Sequence, residues 1–271
     1  MLTFQRSQIN VGGSVQLDAS GTTDAEQDAA TLDYAWDFDD DGQYDDATGV
    51  MPTYSAAGLD GPDTVTVGLL VTDDEGETDS ATATINVVNV APTIHSVTND
   101  GWILAGESAT ITVEASDAAG ALDPLTYAFD CDDDGDYEVG PQPGNSAVCT
   151  FPAAGMHVVN VLVADGDGGE ATGSTVVEVL TPQEAIAWLQ GEVQALVDAG
   201  VLNGGQGNAL NSKLANAIKK LDEGQPHVAI NNLNAFVKQV NAFINGRVLT
   251  AAEGQPLIDA ANRIIAAIDA A

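Results

Sequence analysis

Asp37, Asp39 and Asp41 stand at alternate positions, Gly42 follows at once, and Asp45 comes three residues later. The same order returns as Asp130, Asp132, Asp134, Gly135 and Glu138. Carboxylates at this spacing can gather oxygens around a hard cation, and a glycine at the sixth position allows the sharp bend that such a loop needs. The order matches the first nine positions of a calcium loop, whose seventh position donates a backbone carbonyl, here that of Gln43 or Asp136. Thr48 and Pro141 stand where an EF-hand would carry its closing glutamate, and strand-like runs flank both loops, so an EF-hand is excluded. The chemistry to expect is weak binding of Ca2+, about one ion per copy, with a Kd of roughly 0.1–1 mM as in extracellular modules. Magnesium is disfavoured because a flexible all-carboxylate loop does not impose its partly hydrated octahedron. The competing reading is a pair of solvated acidic turns; Asp18, Asp24, Asp28, Asp73, Asp74 and Asp165 are spaced too loosely to define further sites.

The surroundings of these turns favour the cation. The chain of 271 residues carries 41 acids and 7 bases, a net charge of −34, which excludes nucleic-acid phosphates and anionic membrane surfaces as partners. Residues 181–271 hold 8 of the acids and 6 of the bases, leaving 33 carboxylates and Arg6 in residues 1–180. One cation cannot neutralise that region by salt bridges, so counterions or bound metal must. Cys131 and Cys149 lie inside it, 18 positions apart, and admit either a disulfide or two buried thiols; a metal-binding pair would need further Cys or His nearby. A bridge would close the base of the second acidic loop, contribute about 3 kcal/mol, and hold Asp130 and Asp132 in register.

Signs of catalysis are lacking. His95, His157 and His227 fall in three separate regions without metal-ligand spacing, and neither a nucleophile elbow nor a Cys–His pair is present. Gly204-Gly205-Gln206-Gly207 has no strand before it and no Lys-Ser/Thr after it, and is read as a connection between helices. Clustered aspartates on exposed turns lack the apolar pocket that would raise one pKa for glycoside chemistry.

The elements that must position these residues come in two materials. Up to Leu180 the apolar period is two, as in Val65, Val67, Leu69 and Val71, with Gly, Asp and Pro clusters between the runs. Tyr34-Ala35-Trp36-Asp37-Phe38 returns 93 positions later as Tyr127-Ala128-Phe129-Asp130-Cys131, so one module of about seven strands is present twice. Alternation along the first strand sets Tyr34, Trp36 and Phe38 on one face and Asp37 and Asp39 on the other. The join Val88 to Thr93 is short, which predicts modules set end to end as a rod. From Thr181 the period becomes 3.6, and capping boxes at Thr181-x-x-Glu184 and Thr250-x-x-Glu253 open two of four helices. These helices repeat at an offset of 47, with Leu196, Gly207 and Leu210 matching Phe243, Gly254 and Leu257, and imply a four-helix bundle. Trp188, Phe236 and Phe243 are read as its core, and Trp102, Tyr44 and Tyr137 as the aromatics left available to a polymer.

Trp36-Asp37-Phe38-Asp39-Asp40-Asp41-Gly42, Tyr54-x-x-x-Gly58, and the strand from Thr64 to Val71 ending in Thr-Asp-Asp-Glu-Gly resemble a polycystic-kidney-disease (PKD) domain. The helical end resembles the FIMAH module of secreted bacterial proteins. The fold class expected is therefore multidomain: two all-β, Ig-like sandwiches over 1–90 and 91–180 and an all-α four-helix bundle over 181–271. The resemblance implies a non-catalytic extracellular spacer or adhesion segment on a bacterial surface; the alternative it implies is an accessory region of a secreted hydrolase, contacting an extracellular polymer or protein. No run approaches the ~20 apolar residues of a membrane span, and the first residues lack a signal-peptide pattern, so the chain is read as the C-terminal piece of a longer exported protein or as starting at a misassigned Met.

Overall fold

The computed structural model describes residues 3–4 and 8–270; Arg6 lies outside them. The first module contains β1 (Thr3–Phe4), β2 (Gln8–Asn10), β3 (Ser14–Asp18), β4 (Asp33–Asp37), β5 (Ala47–Thr48), β6 (Thr53–Ser55), β7 (Asp63–Thr72) and β8 (Thr78–Val88). The second contains β9 (Thr93–Asn99), β10 (Ile103–Leu104), β11 (Ser108–Ser116), β12 (Thr126–Asp130), β13 (Val139–Gln142), β14 (Ser146–Thr150), β15 (Gly155–Ala164) and β16 (Glu170–Leu180). Each sandwich thus has eight described strands, one more than the spacing suggests.

The sheets match member for member. One sheet runs β2-β8-β7-β4-β5 in the first sandwich and β10-β16-β15-β12-β13 in the second; the other joins β1, β3 and β6, or β9, β11 and β14. In both copies the edge strand β2 or β10 pairs parallel to the last strand, Ile9 opposite Val87 and Ile103 opposite Val179. The Ig-like sandwich follows from the period-two runs: Leu17, Trp36, Val67 and Ile85 are fully buried in the first copy, Ile111, Phe129, Val161 and Val177 in the second. The Trp36 indole donates to the Gly49 carbonyl at 2.8 Å, which satisfies its one polar atom.

Four helices follow: α1 (Pro182–Asp198), α2 (Gly204–Asp222), α3 (Pro226–Asn245) and α4 (Ala251–Ala270). Each packs on its sequence neighbours and α1 packs on α4, closing a four-helix bundle around Ile186, Leu189, Leu214, Leu233, Phe236 and Ile264. Capping boxes form at Thr181–Glu184 and Thr250–Glu253. A third, between Asn203 and Gln206, makes Gly204 to Gly207 the first turn of α2 and corrects its reading as a connection. The glycine shared by the two helical repeats has a steric cause. A Cβ at Gly207 would stand 2.4 Å from Val197, and one at Gly254 would stand 2.6 Å from Ile244, so both hairpins close on a bare backbone.

The chain divides into two compact units, one of residues 1–98, 112–147 and 159–175, the other of residues 99–111, 148–158 and 176–271. In the second unit, Arg263 of α4 makes hydrogen bonds to both carboxylate oxygens of Glu107, donates to the Trp102 carbonyl at 3.3 Å, and lies 5.0 Å from the centre of the Trp102 ring. Trp188 of α1 packs 5.0 Å from the same ring. Trp102 is therefore occupied by its neighbours and is not the free stacking surface that the sequence suggests, whereas Trp188, read as core, is 37% exposed.

Replacing Gly254 with Ala should lower stability by about 1 kcal/mol, because an overpacking cost of about 1–3 kcal/mol outweighs the roughly 1 kcal/mol gained in helix propensity. Chemical denaturation monitored by helical circular dichroism checks this; an unchanged or raised midpoint would contradict it.

Candidate metal centres

The turn after β4 brings Asp37, Asp39 and Asp41 together, each offering an oxygen within 4.8 Å of the others; the turn after β12 does the same for Asp130, Asp132, Asp134 and Glu138. The route differs from simple strand alternation. β4 ends at Asp37 and the backbone enters the left-handed region at Asp40 (φ 58°), as it does at Asp133 (φ 62°) in the second copy. The turn then folds back over the strand end. Gly42 N–H donates to Asp37 Oδ2 at 2.9 Å and Gly135 N–H to Asp130 Oδ2 at 3.2 Å, so the last strand aspartate closes each turn. Asp37 and Asp130 are consequently 3% and 2% exposed, not solvent-facing, while Asp39, Asp41, Asp132 and Asp134 remain exposed around them.

Asp45 is not among the converging carboxylates of the first turn. Its neighbour Asp46 instead accepts from Phe38 N–H at 2.6 Å, the role that Glu138 plays toward Cys131 N–H at 2.7 Å. The first turn is one residue longer, so the fixed offset of 93 pairs Glu138 with the wrong aspartate. Gln43 N–H donates to Asp41 Oδ1 at 2.7 Å, and Asp136 N–H to Asp134 Oδ1 at 2.9 Å; this fixes the backbone at the two positions expected to lend carbonyls. Asp18, Asp24 and Asp28 accept amide hydrogens within their own turns.

The two centres differ beneath the turn. In the second, Asn160 stands opposite Asp130 on β15 and donates to Asp130 Oδ2 at 3.1 Å and Asp133 Oδ1 at 2.7 Å. Both oxygens of Asp130 are thus satisfied, and these bonds outweigh burial to hold its carboxyl below the usual aspartate value. In the first, Gly68 takes the place of Asn160, and a Cβ there would stand 3.1 Å from the Tyr44 ring. Tyr44 is therefore packed over Gly68 and half-buried. Asp37 Oδ1 is left buried without a hydrogen-bond partner. A buried carboxylate oxygen costs free energy unless something positive meets it.

Loss of solvation, then the neighbouring carboxylates, pushes Asp39 and Asp132 above the usual aspartate value of 3.8. All donors are oxygens, which suits a hard cation. The described cysteines are both disulfide-bonded, Cys131 to Cys149, at the base of the second turn. Two further acidic groups are Asp60, Asp123 and Asp167, and Asp117, Asp123 and Asp165. Sequence spacing gave no sign of them beyond Asp165.

Residues 2–88 match the family model of the PKD domain and residues 186–266 that of the FIMAH domain. Among solved structures, the PKD domain of an M14-like peptidase from Thermoplasmatales archaeon SCGC AB-540-F20 is 26% identical over 34% of this chain and 98% of its own, with a TM-score of 0.29. The amphioxus IgVJ-C2 molecule is 15% identical over 63% and 99%, with a TM-score of 0.36. Three N-terminal domains of the bacteriophage RB49 outer capsid protein Hoc are 14% identical, with a TM-score of 0.32; the match covers 66% of this chain and spans 58% of the capsid chain. No curated protein matches.

In the presence of chelator at pH 7, Asp39→Asn and Asp132→Asn should each raise the thermal midpoint, because each removes a crowded charge, whereas Asp130→Asn should lower it. The sign follows from linkage: a carboxyl with a raised folded pKa destabilises above that value, so the gain from the first two variants fades as the pH falls toward 4. Melting curves across pH 4–7 check this, and a loss of stability in Asp39→Asn would contradict it.

Proposed function

We propose that this chain, in which a PKD domain is followed by a second sandwich of the same topology and then by a FIMAH domain, is a non-catalytic, calcium-binding structural segment of an extracellular or cell-surface protein. Its modules would divide at about residue 90, where the duplicated module begins again, and at about residue 180, where the apolar period changes from two to 3.6. The observation that carries the calcium reading is Asp37: a buried carboxylate with one unpartnered oxygen, beside Asp39 and Asp41, in a region whose sequence from Ser7 to Leu180 contains neither Lys nor Arg. The second turn, with four converging carboxylates, supports the same reading by repetition. Asp37, Asp39 and Asp41 would hold one ion, with Asp46 in the role first given to Asp45. Asp130, Asp132, Asp134 and Glu138 would hold the other, and Gln43 and Asp136 would lend carbonyls.

Calcium here is structural. It would bind the crowded oxygens, relieve their mutual repulsion, and fix turns that otherwise rest on a few amide hydrogen bonds. The PKD domain and the disulfide both support an oxidising, extracellular setting, and no described helix is long and apolar enough to cross a membrane. Adhesion through stacked aromatics finds little support, since Trp102 and Tyr44 are packed against other residues of the chain.

Calorimetric titration of the full chain with CaCl2 tests this. Heat should appear with a Kd of roughly 0.1–1 mM, and Asp39→Ala and Asp132→Ala should each remove one binding event while the rest persist. Absence of heat at millimolar calcium, or an isotherm that neither variant alters, would contradict the proposal.

A further inference from the structure

The second acidic turn is anchored in a way that the first is not. Cys131 lies between Asp130 and Asp132, and its N–H donates to Glu138 Oε2 at 2.7 Å. One residue therefore positions three of the four converging carboxylates, two through its own peptide bonds and one through its amide. Its sulfur is bonded to that of Cys149 on β14, so the turn is tied covalently to a strand outside it in sequence. In the first turn Phe38 takes this place. Its ring packs 6.3 Å from that of Trp36 and 5.4 Å from that of Tyr54 on β6, an apolar anchor that a reductant does not open.

The two sandwiches share one topology, and the first builds it without a cysteine. The fold thus closes without a bridge, and what the bridge constrains is the turn. It is open to attack from one side: Cys149 is 2% exposed, whereas Cys131 is half-buried. A thiolate arriving from solvent meets the Cys131 sulfur.

We propose that the Cys131–Cys149 disulfide is a redox switch on calcium binding at the second turn: closed, it holds the four carboxylates in their converged positions, and opened, it releases the turn and weakens its hold on the ion. The inference rests on the calcium reading of the turns. Opening is thiol–disulfide exchange with an external dithiol. A thiolate of the reductant attacks the Cys131 sulfur, the S–S bond breaks, and Cys149 departs as a thiolate that takes a proton from water. The second thiol of the reductant then displaces Cys131 from the mixed disulfide. The products are two protein thiols and a cyclic, oxidised reductant, so two electrons pass from the dithiol to the protein.

The physical basis is the repulsion within the turn. With the bridge open, the turn gains conformations in which Asp130, Asp132, Asp134 and Glu138 stand further apart, and calcium must restore the converged arrangement out of its own binding free energy. Linkage makes the coupling reciprocal: the factor that reduction takes from calcium affinity returns, when calcium is bound, as resistance of the disulfide to reduction.

The test follows hydrogen exchange of the amides in 38–46 and 131–138 of the full chain as CaCl2 is raised, with the disulfide closed and after opening by dithiothreitol. Closed, both turns should slow with calcium. Opened, the calcium midpoint at 131–138 should rise by about tenfold while that at 38–46 stays within about twofold. Cys131→Ser/Cys149→Ser should reproduce the opened form without reductant. In a buffer of reduced and oxidised dithiothreitol, saturating calcium should raise the ratio needed to open half of the disulfide by the same factor of about ten. A midpoint at 131–138 indifferent to reduction would overturn the proposal, and so would an equal shift at both turns, which reports a general loosening. Loss of protection along β15 on reduction would make the bridge a staple of the whole sandwich and overturn it likewise. Calcium without effect on either turn of the closed chain is the failure of the calcium reading itself, and is told apart because it appears before any reductant is added.

Discussion

Repulsion among carboxylates that have no cation of their own is the constraint on which the rest of this structure depends. Over residues 7–180 the chain offers hydroxyls, amides and two histidines, but no Lys or Arg side chain. The fold meets part of the problem with backbone amides. Gly42, Gly135, Gly166 and Gly169 each donate an N–H to an aspartate, and Asn160 and Asn89 add side-chain amides. Such dipoles hold single carboxylates in place but do not cancel a charge. What remains is a set of buried oxygens on Asp37, Asp117 and Asp123 and a ring of exposed carboxylates at each turn. A divalent ion would satisfy both at once.

The two sandwiches meet this constraint unequally, and the difference traces to one position. Asn160 neutralises the hydrogen-bonding demand of Asp130, whereas Gly68 leaves that space to the Tyr44 ring and leaves Asp37 Oδ1 unpaired. The second turn compensates with a fourth converging carboxylate, Glu138, and with the disulfide at its base. The helical end works by other means. It carries nearly balanced charge, caps its helices with its own side chains, and uses Arg263 to clamp Glu107 and cover Trp102 within one unit.

Much of the fold was legible in the sequence because it rests on short-range periodicity. The alternation in β4 and β7 and the capping box at Thr181 act through neighbours a few residues away, and the repeated glycines at 207 and 254 act across one helical hairpin, against Val197 and Ile244. The acidic turns were legible for the same reason, as their carboxylates lie within one loop. Strand alternation misled at Asp37, since a turn that folds back can bury a residue that a straight strand would expose. It misled at Asp45 because one extra residue in the first turn shifts the equivalent of Glu138 to Asp46. The join between the sandwiches was illegible: Asp60, Asp117, Asp123 and Asp167 are brought together only by tertiary packing. Trp102 was misjudged for a related reason, because its partners Trp188 and Arg263 come from distant helices.

The most direct test of the account is the thermal midpoint of the unmutated chain as calcium is raised from zero to 10 mM, set against NaCl of matched ionic strength. Screening alone acts on exposed charges and is common to both salts, whereas specific coordination acts only through calcium and grows with its concentration. The account predicts that calcium raises the midpoint by about 3 °C or more beyond the sodium series. Superimposable curves in the two salts would contradict it, and would mean that the aspartates are held by backbone amides and solvent alone.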